Sequence, residues 1–153
     1  MAPSLSTARA CGHVLVWYCA ALACSLHLGC GPKVAPPEPD AKVRLTKLLR
    51  LYQVYVAKNR KGPPGESALR EFGQKLSAQQ RDEYLIGEDL EGIFTCPRDN
   101  QKYVVRYNLR LDPAASARAV AWEAEGQNGK RYVALSIGYV EEYDEQTFKE
   151  YSK

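Results

Sequence analysis

The sequence is poor in histidine and, after its first 30 residues, in cysteine. Its 153 residues include 2 His and 5 Cys; both histidines lie in the first 30 residues, and only Cys96 lies beyond them. If this first segment is removed or modified during export, the remaining chain has no imidazole for a Ser-His or Cys-His pair or for a histidine metal site. Cys96 alone forms neither an internal disulfide nor a thiolate zinc cage.

Charge of one sign does not dominate the chain, although residues 41–65 contain no acid. Lys and Arg number 21 and Asp and Glu 18, for a formal net charge of +3, which is too low to indicate a nucleic-acid partner. A content of 45% apolar residues argues against intrinsic disorder. The length suits one domain with its own core.

An apolar run occupies residues 14–28 and follows a polar segment whose single charge is Arg9. The run has the length of a signal-peptide hydrophobic region and is shorter than the roughly 20 residues of a bilayer span. It ends at Gly29-Cys30, where a small residue precedes a cysteine, and this resembles the lipobox of bacterial lipoproteins. The resemblance implies a signal peptide over 1–29, cleavage after Gly29 and acylation of Cys30.

Cys24 is a second candidate for the acylated residue, but its use would leave the apolar residues 25–28 on the mature protein. We favour Cys30, because residues 30–39 contain four prolines and read as a tether. In polyproline conformation this tether reaches about 28 Å from the lipid headgroups. The lipoprotein resemblance implies a membrane-anchored protein on the periplasmic or extracytoplasmic face. Gly31 favours the outer membrane in a cell that has one.

Residues 40–153 are expected to form a single α+β domain. Asp40 is a suitable N-cap, and apolar residues then recur at helical spacing as far as residue 58, which predicts a long amphipathic helix packed on a small antiparallel sheet. Its basic side either faces solvent, which we favour, or lies on anionic lipid or wall polymer. The predicted buried arc consists of Leu45, Leu48, Leu49, Leu51, Tyr52, Tyr55 and Val56.

Short helices are predicted to connect the long helix to the sheet. The turn at 62–65 ends the long helix, and residues 67–76 then show helical spacing. A capping box that begins at Ser77 predicts a further short helix ending near residue 85. Near the other end of the domain, Asp144 is placed to cap a C-terminal helix that reaches Tyr151.

Segments rich in β-branched and aromatic residues predict a sheet of three to four strands. Asn128-Gly129 predicts a two-residue type I′ turn, and a second hairpin is predicted around residues 98–101. On the register that extends directly from Asn128-Gly129, an apolar face packs on the long helix, while Glu123 and Glu125 lie on the opposite, exposed face. The predicted strands are 93–96, 102–108, 118–125 and 131–139. The predicted pairs are Trp122 with Leu135, Val120 with Ile137, and Ala124 with Val133.

This order of elements resembles the soluble head of type II secretion pseudopilins, in the form found in small planctomycete-type lipoproteins. The segments that carry the resemblance are 55–64, 98–105 and 120–130. It implies a non-catalytic interaction or structural module with a protein partner in the cell envelope, associated with a secretion or pilus-like system. A lipid anchor and a tether stand where pseudopilins have their cleavage motif and assembly helix.

Some pseudopilin heads bind calcium in a loop near the end of the sheet. The resemblance therefore implies a calcium site here, with Asp99, Asp112 and Glu123 as the available oxygen ligands. No loop of fixed ligand spacing accompanies them. We therefore expect no resident cofactor.

An enzyme without histidine would depend on carboxylates, Lys, Tyr or Cys96. Glu123 and Glu125 share a predicted strand face at a spacing that suits paired acid and base work on cell-wall glycan. A solvated strand face is the simpler interpretation, and we expect a non-catalytic protein, with a carboxylate-dependent hydrolase or glycan-binding protein as the alternative. Cys96 is either a small apolar residue that closes a strand or a reactive thiol beside Arg98.

Overall fold

The computed structural model describes residues 39–111 and 116–153. This part of the chain has the predicted α+β architecture, with a four-stranded antiparallel sheet in the order β1-β2-β3-β4 and a C-terminal helix. The signal peptide over 1–29 and nearly all of the predicted tether lie outside the described residues. The helices are α1 (Asp40–Asn59), α2 (Glu66–Lys75), α3 (Ala78–Glu83) and α4 (Glu145–Tyr151). The strands are β1 (Val104–Val105), β2 (Ala119–Trp122), β3 (Lys130–Leu135) and β4 (Val140–Asp144).

Helix α1 buries a continuous apolar arc because its leucines and tyrosines recur every three or four residues. Asp40 is not the N-cap that the sequence predicted. It is already helical, it follows Pro39, and no side chain caps the first turn. Its carboxylate instead lies in the first turn, where the helix dipole favours negative charge. The arc residues Leu45, Leu48, Leu49, Leu51, Tyr52 and Tyr55 are buried, and Val56 packs against them.

A tight turn follows α1 and brings the chain against the loop at residues 108–109. Pro63 O accepts a 2.8 Å hydrogen bond from Asn108 N. A Cβ at Gly62 would lie 2.5 Å from Leu109 O, so only glycine permits this approach. The capping box at α3 is confirmed: Ser77 Oγ accepts from Gln80 N at 3.2 Å, and Ser77 N donates to Gln80 Oε1 at 3.0 Å.

The predicted strand over 93–96 is wrong. Residues Gly92–Phe94 form a short 3₁₀ helix, and Gly92 N at its start donates to Asp89 Oδ1 at 2.8 Å. The hairpin predicted around residues 98–101 is present in reduced form: Thr95 pairs with Lys102, and Cys96 N donates to Gln101 O at 2.8 Å.

Two other predicted strands are too long. The strand over 102–108 is reduced to β1, because the chain turns at Tyr107-Asn108, where Asn108 has a φ of 61°. The strand over 131–139 ends at Leu135, where Gly138, with a φ of 101°, closes a turn into β4. Strand β4 itself was not predicted, because its exposed acids obscured the strand pattern.

The turn at Asn128-Gly129 is confirmed, but the register predicted from it is wrong. Both turn residues have positive φ, as a type I′ turn requires, and Gln127 pairs with Lys130. Extra residues around Gly126, which has a φ of 74°, then shift β2 by two positions, and a bulge between Ala119 and Ala121 shifts it again. The observed pairs are Trp122 with Val133, Ala121 with Ala134, and Ala119 with Leu135.

Both faces of the sheet are covered by helices. The face that packs on α1 is the one opposite to the face that the sequence predicted. The face with Tyr132 and Ala134 packs on α1 in the main core. The face with Trp122, Val133 and Leu135, predicted to lie under the long helix, packs on α4 instead. Glu123, predicted to be exposed, is therefore on the α1 side of the sheet and has 0% exposure.

Candidate functional site

The most unusual feature of the domain is the buried carboxylate of Glu123, at the end of β2. Its Oε1 accepts from Cys96 Sγ at 3.1 Å, and its Oε2 accepts from Tyr132 N at 2.9 Å. Arg98 Nη1 lies 3.5 Å from Oε2. Both oxygens are thus occupied by donors of the same chain, as a buried charge requires.

Cys96 is held in this cluster by the loop that precedes β1. Its side chain is fully buried, its thiol donates to Glu123, and its sulfur accepts from Arg98 N at 3.4 Å. Burial, with Glu123 adding to it, raises the pKa of the thiol from 9.0 to about 11. A thiol with a raised pKa and no access to solvent is a poor nucleophile. The geometry therefore favours the structural interpretation of Cys96 over a reactive thiol beside Arg98.

Arg98 connects the buried cluster to the surface. Its guanidinium lies 4.9 Å from the centre of the Tyr132 ring, and its Nη1 donates to Glu142 Oε1 at 3.0 Å. Beside it is a shallow polar cavity of about 410 Å³, which Gln127, Lys130 and Pro39 also line. Arg98 lines this cavity, whereas Glu123, which is fully buried, does not.

Tyr103 ties the same cluster to the start of α1. Its hydroxyl donates to Ala41 O at 2.8 Å, and the ring is buried next to Cys96. Burial raises the pKa of this phenol far above its ordinary value, with Cys96 and Glu123 as further causes. The group therefore stays a neutral hydrogen-bond donor and fixes the N-terminus of α1 against the sheet.

The three predicted calcium ligands are not brought together in the described residues. Asp99 Oδ1 accepts from Gln101 N at 2.9 Å within its own loop, and Glu123 is committed to Cys96, Tyr132 and Arg98. Asp112 lies outside the described residues. Within 39–111 and 116–153, no group of three or more His, Cys, Asp or Glu side chains is arranged to hold a metal ion.

The predicted carboxylate pair is separated by burial. Glu123 is inaccessible, whereas Glu125 is exposed in the segment that bulges before the turn. The predicted acylation and cleavage residues Cys30 and Gly29, and the alternative Cys24, lie outside the described residues and stay predictions.

A second candidate feature is an open groove of about 480 Å³ beside the C-terminal half of α1. Its apolar lining comes from Val56, Ala57, Leu111 and Ile137, and its cations are Arg60 and Arg110. Neither guanidinium has a hydrogen-bond or ion-pair partner within the described residues. Among the residues that the structure describes, none that lines the groove is acidic.

Tyr52 positions one wall of this groove. Its hydroxyl accepts from Leu109 N and lies 3.1 Å from the carbonyl oxygens of Arg106 and Leu109. Burial raises the pKa of this phenol to about 12. The loop that leads to Arg110 and Leu111 is therefore anchored to α1 by a single buried side chain.

The sequence reasoning missed the groove and the buried cluster for different reasons. The groove joins α1 to the turn between β3 and β4, which was not predicted. The available sequence signal for this turn was Ile137-Gly138, where an exposed apolar residue precedes a glycine. The cluster was missed because Glu123 was assigned to the exposed face by the wrong register.

Helices that are both long enough and apolar enough to cross a membrane are absent from the described segments. No protein-family model, curated protein or solved structure matches this chain.

Proposed function

We propose that the chain is a lipid-anchored cell-envelope protein whose domain is a non-catalytic interaction module. The proposal joins the lipobox resemblance at Cys30, the proline-rich tether and the α+β domain that follows them. It places the domain on the periplasmic or extracytoplasmic face, with a protein as its partner.

The observation that carries the non-catalytic part is the position of Glu123. A glycan hydrolase needs two carboxyl groups that flank an accessible bond. Here both oxygens of Glu123 accept hydrogen bonds inside the core, and Glu123 does not line the surface cavity that its neighbour Arg98 lines. The carboxylate serves to satisfy buried donors and to fix the sheet, which are structural tasks.

The observation that favours an interaction module is the groove beside α1. It exposes apolar side chains and two arginines that have no partner among the described residues, and exposed features of both kinds are typical of binding surfaces. Association with a secretion or pilus-like system, and likeness to a pseudopilin head, are part of this proposal. The packing of α1 on an antiparallel sheet supports that likeness.

Metabolic labelling with a palmitate analogue tests the anchor. The full chain, expressed in a bacterium with a lipoprotein pathway, is expected to incorporate the label and to fractionate with membranes. The Cys30→Ala variant is expected to lose the label, and the matched Cys24→Ala variant to retain it. Label that persists in Cys30→Ala, or that is lost in Cys24→Ala, would contradict acylation at Cys30.

The catalytic alternative is tested on the same preparations. Purified full chain is incubated with peptidoglycan fragments, and released reducing ends are measured for the wild type and for Glu123→Gln. We expect no release from either protein. Activity in the wild type that Glu123→Gln abolishes, with the urea midpoint unchanged, would establish the hydrolase in place of the module.

A further inference from the structure

The groove beside α1 has a composition that restricts its occupant. Four of its lining residues are aliphatic, and we refer to them as its floor: Val56, Ala57, Leu111 and Ile137. Ile137 is 45% exposed at the turn between β3 and β4, where a polar residue is the usual choice. An aliphatic floor that is open to solvent favours an occupant with an apolar side chain.

The rim of the groove restricts the charge of the occupant. Arg60 and Arg110 line it, and neither guanidinium has a partner among the residues the structure describes. Residues 41–65 contain no acid, so α1 contributes no countercharge. Arginine forms its strongest hydrogen bonds with carboxylate or phosphate, often as a bidentate pair.

Arg60 occupies a backbone position at which arginine is unfavourable. It ends α1 in the left-handed conformation, with a φ of 61°, where glycine is the common residue. A residue with a Cβ is strained in this conformation. The chain nevertheless has a long cation at this end of the groove.

The position and shape of the groove favour a protein partner over a membrane surface. The tether enters the domain at Pro39, at the N-terminus of α1, whereas the groove lies along the last two turns of the helix and Arg60. Over 20 residues at about 1.5 Å each, α1 puts roughly 30 Å between these ends. The groove is therefore at the opposite end of α1 from Pro39. A concave surface also accepts inserted side chains better than it accepts a flat lipid layer.

We propose that this groove binds an acidic segment of a partner protein, with an aliphatic side chain on the floor and carboxylates on Arg60 and Arg110. The inference rests on the proposed interaction module and gives the chemistry of its partner. Wall polymers and free phosphate supply the negative charge but no aliphatic side chain for the floor.

Selection from a random-peptide library tests this inference with the full chain, purified from membranes in detergent. We expect enriched peptides to combine Asp or Glu with Leu, Ile, Val or Phe. Fluorescence anisotropy of the most enriched peptide is then expected to show about tenfold weaker binding to Arg60→Gln or Arg110→Gln, and a larger loss for the double variant. Lys149→Gln, which removes an exposed cation from α4, is the matched control and is expected to bind within about twofold of the wild type.

Several outcomes would overturn the inference. These are a library that yields no enriched peptide, enrichment of basic peptides, and binding that the double variant leaves unchanged. Stronger binding to phosphatidylglycerol vesicles than to any peptide would assign the groove to lipid. Self-association that the double variant abolishes would assign it to a second copy of the chain. Palmitate labelling at Cys30 is measured on the same preparations, so a labelled protein without peptide binding contradicts the groove assignment and leaves the anchor standing.

Discussion

The face of the sheet that packs on α1 contains a buried carboxylate, whereas the face under α4 combines buried aliphatic residues with aromatic side chains that are only partly buried. On the α1 side, Glu123 is fully enclosed by named donors. On the α4 side, the Trp122 and Phe148 rings are 5.6 Å apart, and the Tyr143 and Tyr151 rings stack at 5.2 Å.

The two faces differ in how strictly their contacts fix the positions of the strands and loops that form them. A buried polar group is satisfied only by donors at particular positions, so the α1 face fixes one arrangement of β2, β3 and the loop at Cys96. Partly exposed aromatic rings tolerate small displacements with little loss. We therefore expect substitutions on the α1 face to have the larger effects, and the four predictions below test this order.

The largest effect is expected for Glu123→Ala. The substitution leaves Tyr132 N without its buried acceptor and removes a charge partner of Arg98, which together should cost about 3–5 kcal/mol of unfolding free energy. Urea unfolding followed by Trp122 fluorescence measures it. Glu125→Ala, on an exposed neighbour, is the control and should change stability by less than about 0.5 kcal/mol. A loss below about 1 kcal/mol for Glu123→Ala would show that the cluster is not a determinant of the fold.

The second effect is a loss of stability in alkali that depends on Cys96. Its thiol has a pKa of about 11 in the folded domain and 9.0 ordinarily, so between these values the unfolded chain loses the proton first. Stability from this group is therefore complete below about pH 9 and falls as pH rises through 11, with a total change on the order of a hundredfold in the unfolding equilibrium constant. Tyr52, with a pKa of about 12, adds a further fall above pH 10.

The variant Cys96→Ala isolates the thiol from the phenols. Its urea midpoint should vary less than that of the wild type between pH 9 and pH 10, where Tyr52 does not yet contribute. An equal slope in both proteins over this window would contradict the assignment. Iodoacetamide should also modify Cys96 much more slowly in buffer than in urea.

The third effect, on the α4 face, is expected for Phe148→Ala. Phe148 contacts Trp122, and the Arg131 guanidinium lies 4.6 Å from its ring centre. Because the ring is only partly buried, its removal should cost about 1–3 kcal/mol, less than Glu123→Ala. Lys149→Ala is the control on the same helix. A cost equal to that of Glu123→Ala would remove the proposed difference between the faces.

How far the sequence predicts this structure also differs between local and non-local features. The N-cap predicted at Asp40 was wrong, but most local signals were reliable: Ser77 forms its capping box, Asn128-Gly129 forms its turn, and Asp144 caps α4. Each depends on residues within a few positions of one another, so no distant contact overrides it.

The register and the faces of the sheet depend on longer distances, and there the prediction failed. The bulges at Gly126 and after Ala119 shift the pairing without an alternation signal in the sequence. Because α4 covers the aromatic face, the sheet is buried on both sides, and a carboxylate on the inner face is compatible with burial once Cys96 and Arg98 supply donors and charge. Those partners come from a loop some 27 positions away, which periodicity does not reveal.

The smallest effect is expected for Asp144→Ala, at the start of α4. The carboxylate accepts from Thr147 N at 2.8 Å, and this hydrogen bond lowers the pKa of Asp144. Removing the cap frees one turn of a short, exposed helix, so the melting temperature should fall by a few degrees at most. Asp144→Asn keeps a suitable acceptor and should recover most of the loss. Because a lowered pKa stabilises the fold only while the carboxylate is ionised, the difference between wild type and Asp144→Ala should shrink as pH falls below about 4. If Asp144→Ala instead destabilised the domain as much as Phe148→Ala, the aromatic contacts would depend on the cap, and α4 would have to be treated as one cooperative unit with the face it covers.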